Sequence, residues 1–225
     1  MRFHIISIFP KILDSYFSES ILKRAQEKKI IKIKNYDLRQ WTNNKHHTVD
    51  DTPYGGGAGM LMKIEPLYLA LKQIKKTIKH SNKKKIILLS AAGKTWNQNL
   101  AKKFSKLDDI VFICGRYEGV DARIKYFIDE EISIGNYVLT GGELATAVIV
   151  DSITRLLPGV LGNKDSLIEE SHEEDSVTEY PQYTRPAIFE AENKKYKVPK
   201  ILQSGNHAQI KDWRDSKKKK IKTSK

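Results

Sequence analysis

Cysteine is almost absent from this chain of 225 residues, in which Cys114 is the only one. A single cysteine excludes an internal disulfide framework and a zinc site built from several cysteines. Long apolar runs are absent as well, since none approaches the roughly 18 residues of a membrane-spanning helix. The opening MRFHIISIFP has too short an apolar run for a secretory signal and lacks a small-residue cleavage site. We therefore expect a soluble, cytoplasmic protein that does not interact with membranes.

Arginine is scarce: only 8 of the 40 basic residues are arginine, and the formal net charge is +13. Such a charge suits a polyanionic partner, because phosphates attract it and release counterions on binding. The excess of Lys, Ile and Asn is also typical of chains encoded by AT-rich genomes, so the charge favours nucleic-acid binding without establishing it. Residues 165–179 depart from this trend with seven acids and no Lys or Arg. A run of this kind is typical of a solvated loop.

Short apolar runs alternate with amphipathic stretches along the first 157 residues. The pattern predicts strands over residues 2–9, 30–33, 85–90, 110–114 and 128–134, and helices over residues 10–29, 65–79, 97–104, 120–126 and 143–157. Strands that alternate with helices indicate an α/β fold with a largely parallel sheet.

A change of composition after Pro158-Gly159 predicts the domain organisation. We predict a first domain over residues 1–160, an acidic linker over 161–178 and a small, mostly helical C-terminal domain over 179–225. Within the last, residues 208–214 are expected to be helical. The final SKKKKIKTSK is typical of a disordered tail.

Three glycine-containing loops form the candidate binding site: PYGGG at 53–57, CGRYEG at 114–119 and IGNYVLTGGE at 134–143. Two of them follow predicted strands, at the ends where open α/β sheets bind ligands. Glycines let backbone groups approach a ligand closely, and Tyr117 and Tyr137 are able to flank a flat ring. Together the loops favour a site for a planar ligand. The alternative is that the glycines only turn the chain.

The segment Ala92-Gly93-Lys94-Thr95 is similar to part of a phosphate-binding loop, since it lies between a predicted strand and a predicted helix. That loop requires another glycine five residues before Gly93, and position 88 is Leu. No G-x-G-x-x-G follows the first strand either. We therefore expect neither nucleoside triphosphate hydrolysis nor an ordinary dinucleotide site.

The pattern alone assigns no role to the isolated charged and nucleophilic residues. Arg155 lies near the end of a predicted helix, where a cation that interacts with the helix dipole and with Asp151 is the simpler interpretation. Asp175 is one of seven neighbouring acids, and nothing in the spacing distinguishes it. Cys114, in an apolar strand with no nearby histidine, is expected to be a core thiol. The six histidines show no metal-ligand spacing, so no metal site is predicted.

Several segments together resemble the bacterial tRNA (guanine-N1)-methyltransferase family, which methylates the guanine 3′ of the anticodon, at position 37 of tRNA. The resemblance runs from residue 1 to about residue 214, and the segments occur in the family's order. Agreement as long as IGNYVLTGGE with GRYEGVD does not arise by chance. The matching segments are FHIISIFP, VDDTPYGGGAGMLMK, FICGRYEGVDARI, DEEISIGNYVLTGGELA, DSITRLLPGVLG, EEDS, PQYTRP and SGNHAQIKDWR.

The resemblance implies a SPOUT-type fold, in which the sheet of residues 1–160 is threaded through a deep trefoil knot, and a tRNA-binding C-terminal domain. The family's knot loops hold S-adenosyl-L-methionine, and the family works as a homodimer with a site shared between subunits. The resemblance also suggests help from Mg²⁺, although no carboxylate cluster here has ligand spacing for it. The positions that match cofactor-binding residues are Ser90, Gly115, Tyr117, Glu118, Gly119, Ser133, Ile134, Gly135, Asn136, Tyr137, Val138, Leu139, Gly141 and Gly142.

The resemblance also assigns a general base to Asp175 and its arginine partner to Arg155. Guanine N1 carries a proton and is a poor nucleophile until that proton leaves. A carboxylate beside N1 accepts the proton, and a guanidinium stabilises the charge that builds on O6. Where the family usually has a proline after the serine at position 90, this chain has Ala91.

Two other functions stay open at this point. Another knotted RNA methyltransferase would act on ribose or on ribosomal RNA, although the EEDS and PQYTRP segments argue against it. A non-catalytic RNA-binding protein would keep the fold and lose activity, although the presence of Arg155 and Asp175 favours an enzyme. For binding of the anticodon stem-loop, the candidate phosphate partners in the basic C-terminal unit are Lys200, Lys211 and Arg214, and the alternative for each lysine is a solvated side chain.

Overall fold

The structure is a computed structural model that describes residues 1–78, 80–81, 83–161, 177–178 and 180–220. The chain divides into two compact units, Met1–Gly162 and Asn163–Lys225. The sequence-based end of the first domain at residue 160 lies close to this division. Most of the acidic linker predicted over 161–178 lies outside the described residues.

A five-stranded sheet with helices on both faces forms the first unit. Its elements are β1 (Arg2–Ser7), α1 (Asp14–Phe17), α2 (Ser20–Glu27), β2 (Lys32–Asp37), a 3₁₀ helix (Leu38–Trp41), β3 (Asp50–Asp51), β4 (Leu61–Met62), α3 (Ile64–Thr77), β5 (Lys84–Thr95), α4 (Gln98–Phe104), β6 (Asp109–Cys114), a second 3₁₀ helix (Ala122–Phe127), β7 (Glu130–Ser133) and α5 (Gly142–Thr154). The sheet order is β2-β1-β6-β5-β7, and every neighbouring pair is parallel. The prediction of an α/β fold with a largely parallel sheet is confirmed.

Strand β6 lies at the centre of the sheet and connects two hydrophobic cores. All six of its residues are buried, which explains why the sequence shows a continuous apolar run instead of an alternation. Ile110, Phe112 and Cys114 pack on one face with residues of α2, α4 and α5. Val111 and Ile113 pack on the other face with residues of α3. The two-residue period of a strand therefore supplies both cores from one segment.

The single helix predicted over residues 10–29 is instead two short helices. Helix α1 ends at Phe17, and α2 begins at Ser20, whose φ of 51° interrupts the helical backbone. Serine side chains compete for backbone hydrogen bonds and favour helix ends over helix interiors, and the Ser18 hydroxyl here donates to the carbonyl of Ser15 over 3.1 Å. Phe17 and Leu22 still reach the same core. The helical spacing was therefore interpreted correctly, whereas the predicted continuity was wrong.

The segment that is similar to a phosphate-binding loop lies inside strand β5. The pairing of β5 with β7 shifts register between Leu89 and Lys94, and both of these residues pair with Ile132. A Cβ atom at Gly93 would lie 2.5 Å from the backbone nitrogen of Ile132, so glycine is required there by close backbone packing. Gly93, Lys94 and Thr95 are extended and do not wrap around the start of a helix, as a phosphate-binding loop does.

The second unit contains a β-hairpin as well as a helix, so the prediction of a mostly helical domain is corrected. Its described elements are β8 (Val177–Thr178), β9 (Ile188–Ala191), β10 (Lys194–Lys197), a 3₁₀ helix (Lys200–Gln203), α6 (His207–Lys217) and β11 (Lys219–Lys220). Glu192 and Asn193 both have positive φ, 51° and 58°, as a two-residue type I′ hairpin turn requires. Part of the tail that was predicted to be disordered pairs as β11 with β8, and residues 221–225 lie outside the described ones.

A buried polar cluster joins the beginnings of β1 and β6. The Asp109 carboxylate is fully buried and accepts from the Arg2 guanidinium over 2.7 Å, and His4 Nε2 lies 3.1 Å from it. His4 Nδ1 lies 2.9 Å from the Tyr36 hydroxyl. Burial lowers the pKa of His4 and outweighs the opposing effect of Asp109, so a neutral ring that donates to Asp109 and accepts from Tyr36 fits the network. Burial alone would raise the pKa of Asp109, but hydrogen bonds from Arg2 and His4 hold that pKa below its usual range.

We expect the substitution Asp109→Ala to lower the free energy of unfolding by about 1–3 kcal/mol, because it leaves the buried His4 ring without its acceptor and the partly exposed Arg2 guanidinium without its partner. Urea denaturation followed by circular dichroism measures this change. The matched control is Asp108→Ala, which removes a neighbouring but exposed carboxylate and should change stability by less than about 0.5 kcal/mol. Equal effects of the two substitutions would contradict the prediction.

Candidate functional site

A cavity of about 460 Å³ opens at the carboxyl ends of the parallel strands in the first unit. Its walls are the residues that follow Leu89 within β5, the loop after β6, and the loop between β7 and α5. Open α/β sheets bind ligands at this end because the loops from neighbouring strands converge there. The cavity is therefore the candidate functional site.

The structure brings together all but one of the residues that the resemblance assigns to the cofactor. Asn136 is the exception and is not among the residues that form the cavity wall. The predicted residues that line the cavity are Ser90, Gly115, Tyr117, Glu118, Gly119, Ser133, Ile134, Gly135, Tyr137, Val138, Leu139, Gly141 and Gly142.

Two glycines explain why the loops after β6 and β7 approach each other closely. A Cβ atom at Gly142 would lie 2.8 Å from the Cα atom of Cys114, and the Gly142 amide donates to the Gly115 carbonyl over 2.9 Å. Gly119 turns the loop after β6 with a φ of 125°, a conformation that other residues rarely adopt. The two loops are therefore in direct backbone contact where Gly115 and Gly142 line the cavity.

A buried ion pair links these two loops to the end of β1. Glu143, only 1% exposed, accepts from Arg116 Nε over 2.9 Å and from the Ser7 hydroxyl over 2.6 Å. Arg116 also donates to the Thr140 carbonyl over 3.3 Å, and its guanidinium carbon lies 4.9 Å from the centre of the Phe9 ring. Arg116 itself lines the cavity, so one ion pair fixes the relative position of both loops.

Sequence reasoning missed the role of Arg116 and Glu143, although both lie inside motifs that the resemblance quoted. The two residues are separated by 27 positions along the chain, and no local spacing indicates that they are partners. The one available signal was an acidic residue in the first turn of an apolar helix, where an acid is also explained by the helix dipole.

Two tyrosines present their rings at the mouth of the cavity. Tyr117 and Tyr137 line it and are both about half exposed. Partial burial, with a further contribution from Asp50, raises the pKa of Tyr117, so this hydroxyl stays protonated near neutral pH. The Tyr137 hydroxyl donates to the Ile134 carbonyl over 3.3 Å, which orients that ring. The arrangement can hold a flat ligand between backbone groups and aromatic rings.

Of the two candidate catalytic residues, the structure describes only Arg155, which does not line this cavity. Arg155 follows the last residue of α5, whereas the first residue of α5, Gly142, lines the cavity. A helix of 13 residues separates the two ends by about 20 Å. Asp175 lies outside the described residues.

Cys114 is a buried core residue. Its thiol is fully buried and lies 3.2 Å from the Thr146 hydroxyl, and burial raises the pKa of the thiol well above its usual range. A thiol that stays protonated is a poor nucleophile, which agrees with the expectation of a core thiol.

The described part of the chain offers no grouping of three or more His, Cys, Asp or Glu side chains suited to a metal ion. Within the same residues, no helix combines the length and the apolar character needed to cross a membrane.

The whole chain is similar in sequence to proteins of one family. The sequence profile of the family described as "tRNA (Guanine-1)-methyltransferase TrmD" matches residues 1–225. The chain is 52% identical to the tRNA (guanine-N(1)-)-methyltransferase of Dictyoglomus turgidum, over 95% of this chain and 83% of the relative. It is 51% identical to the protein of the same name from Clostridioides difficile, over 95% of this chain and 90% of the relative.

The fold agrees with a crystal structure from the same family. The crystal structure of the tRNA (m1G37) methyltransferase from Aquifex aeolicus superposes with a TM-score of 0.76 at 37% identity, covering 95% of this chain and 87% of that one. With a profile match along its full length and relatives at about 50% identity, the chain belongs to the tRNA (guanine-N1)-methyltransferase family.

Proposed function

We propose that this chain is an enzyme that transfers a methyl group from S-adenosyl-L-methionine to N1 of guanine 37 in tRNA, 3′ of the anticodon. The observation that carries the proposal is the cavity at the carboxyl ends of the sheet, whose wall contains nearly all the residues that the resemblance assigns to the methyl donor. The acceptor follows from the family, whose members are named for N1 of guanine. We propose the cytoplasm as the place of action.

The residues of the cavity fit S-adenosylmethionine. A volume of about 460 Å³ lies within the usual range of small-molecule sites. The glycines among the lining residues leave their backbone groups accessible, and such groups are suited to hydrogen-bond an adenine and an amino acid moiety. Tyr117 and Tyr137 add aromatic surface beside them. When bound, S-adenosylmethionine supplies an electrophilic methyl group on a sulfonium centre.

We further propose that the chain is threaded as a deep trefoil knot around this cavity. The observations in support are the contact between the loops after β6 and β7, where the Gly142 amide donates to the Gly115 carbonyl, and the second half of β5, which pairs with Ser133 just before the latter loop. Passing the chain between such closely packed segments requires residues without side chains, and Gly93 and Gly142 meet that requirement.

Proton removal from guanine N1 is the step that the chain's own residues must perform. In the proposed mechanism Asp175 accepts this proton, which leaves a lone pair on N1 in line with the methyl group. Negative charge then builds on guanine O6, and Arg155 stabilises it. A carboxylate and a guanidinium are suited to these two tasks because the former accepts a proton and the latter stays charged at all relevant pH values.

The position of Arg155 supports a site shared between two chains. Ala145 is the α5 residue nearest to Arg155 that lines the cavity, and the helix separates the two residues by about 15 Å. That distance exceeds the reach of an arginine side chain, so Arg155 is too distant to reach the methyl donor in the same chain. The outer face of α5 carries the exposed apolar side chains Leu144 and Val148, 60% and 48% exposed, and Arg155 follows at the same helical spacing. We propose that a second copy covers this face in a homodimer and that each Arg155 serves the partner's cavity.

The first experiment is the transfer of labelled methyl from S-adenosylmethionine to an unmodified tRNA transcript. We expect label in a transcript with guanine at position 37 and none in the same transcript with adenine there. Mapping the product to N1 of the base separates the proposal from a ribose methyltransferase. Absence of label from a folded protein that binds both ligands would contradict the proposed reaction and favour a non-catalytic RNA-binding protein.

The substitution Asp175→Asn should lower turnover by about two orders of magnitude or more, as expected for loss of a general base. Single-turnover rates at saturating tRNA and methyl donor measure this effect. The matched control is Glu174→Gln, which removes the neighbouring negative charge and should leave the rate within a few-fold of the original. A near-normal rate in Asp175→Asn would remove Asp175 from this role.

A heterodimer of two defective chains should recover activity if the site is shared. One chain carries Arg155→Ala. The other carries Gly115→Leu, which places a side chain in the cavity. The backbone tolerates this change, because a Cβ atom at position 115 meets only ordinary contacts of 3.6 Å or more. We expect each homodimer to be nearly inactive and the heterodimer to have about half the activity of the wild-type dimer.

The control is a heterodimer of wild-type and Gly115→Leu chains. It retains one intact site whether Arg155 acts on the cavity of its own chain or on that of the partner. If Arg155 acts on the cavity of its own chain, the doubly defective heterodimer stays inactive while this control is active. Sedimentation of the unmodified protein as a monomer would also contradict the shared site.

A further inference from the structure

The β9–β10 hairpin of the second unit carries two exposed aromatic rings on one of its faces. Phe189 and Tyr196 are directly opposite each other in the antiparallel register, with ring centres 6.3 Å apart. Their side chains are 57% and 53% exposed. Ala191 and Lys194 form the next pair on the same face, because side chains two positions apart share a face. The hairpin thus presents an apolar platform next to a cation.

These rings are not explained by the packing of the hairpin. Every residue of β10 is exposed, as are Ile188, Phe189 and Glu190 of β9, so neither face covers a core among the described residues. An isolated two-stranded hairpin is only marginally stable in water. The cross-strand pair contributes to it, but an aliphatic pair would do so as well. Two large rings left this exposed indicate a surface that binds a partner.

The charge of the same unit identifies the chemistry of that partner. Residues 180–220 contain eleven Lys or Arg and only four Asp or Glu. On the opposite face of the hairpin, Glu190 pairs with Lys195 over 2.8 Å, whereas Lys194 lies on the aromatic face. A second copy of this unit would bring the same positive charge to the platform and be repelled. A polyanion with accessible flat apolar groups is attracted, and single-stranded RNA combines both properties.

We propose that the β9–β10 hairpin is a stacking platform for unpaired bases of the tRNA substrate, with Phe189 and Tyr196 against the bases and Lys194 against a phosphate. This inference rests on the proposed function, since it takes tRNA as the substrate. Unpaired bases are the required partners because the faces of paired bases are already stacked inside a duplex. The hairpin would thereby favour the anticodon loop over the stems of the same molecule.

The test replaces both rings by leucine in the double variant Phe189→Leu/Tyr196→Leu, which keeps an apolar cross-strand pair in the hairpin. Fluorescence anisotropy gives the Kd for a 17-nucleotide anticodon stem-loop and for a fully paired RNA duplex of equal length. We expect the Kd for the stem-loop to rise by about five- to a hundredfold, in keeping with the loss of one stacked base, and the Kd for the duplex to stay unchanged. In the same variant, calorimetry should give an unchanged affinity for S-adenosylmethionine.

The matched control is Glu190→Gln/Lys195→Gln on the opposite face, which keeps the net charge and should leave both Kd values unchanged. A second variant, Lys194→Gln, should lower the slope of log Kd against log salt concentration by about one. An unchanged Kd of the leucine variant for the stem-loop, or an equal loss for stem-loop and duplex, would overturn the proposal. Dissociation of the leucine variant into monomers would assign the face to a second copy instead.

The methyl-transfer assay keeps this inference separate from the proposed reaction. Steady-state kinetics of the leucine variant should show a raised KM for tRNA with kcat close to that of the unmodified protein. If the unmodified protein binds the stem-loop through this face but transfers no methyl group, the platform stands and the proposed reaction fails. If it transfers methyl groups and the leucine variant does so with an unchanged KM, the reaction stands and the platform fails.

Discussion

The ion pair between Arg116 and Glu143 is the interaction on which the cavity depends. A carboxylate that is 1% exposed would cost several kcal/mol to bury without a partner, and here it has both a guanidinium and the Ser7 hydroxyl. Because Arg116 belongs to the loop after β6 and Glu143 to the first turn of α5, the two cavity walls hold each other in place. The pair also explains why position 141 is a glycine, since a Cβ atom there would overlap the guanidinium of Arg116. Glycine at position 141 is therefore explained by this arginine, without reference to a ligand.

Strand β6 separates the parts of the first unit that stabilise the fold from the parts that form the site. Asp109 begins the strand and accepts hydrogen bonds from Arg2 and His4 of β1, whereas Gly115 follows its last residue and lines the cavity. The five residues between them are buried, and residues 110–113 pair with strands on both sides. A rigid strand of this kind lets the site loops keep an unusual backbone, such as the positive φ of Tyr117 and Gly119, because stability is supplied elsewhere.

The sequence predicted the features that local spacing controls. The apolar run over 110–114 indicated the central strand because burial on both faces leaves no alternation, and the glycine motifs indicated the loops because only a few residues tolerate such turns. The features that the sequence did not predict depend on single backbone angles or on pairs of residues that are far apart in the sequence. Ser20, with its positive φ, divides a helix whose apolar spacing continues across the break. The hairpin of the second unit rests on two non-glycine residues with positive φ, Glu192 and Asn193, which no strong turn motif signals. The pairing of Arg116 with Glu143 is created by the fold and has no local signature.

The chain keeps the proposed binding of the methyl donor apart from the proposed handling of the guanine. Among the described residues, all those that line the cavity belong to the first unit. Arg155 lies at the far end of α5, Asp175 follows the first unit in sequence, and the aromatic hairpin belongs to the second unit. In the proposed mechanism the dimer supplies Arg155 to the partner's cavity, whereas the guanine whose N1 is to be methylated is supplied by the RNA. The cavity for the methyl donor is therefore formed before the nucleophile is present.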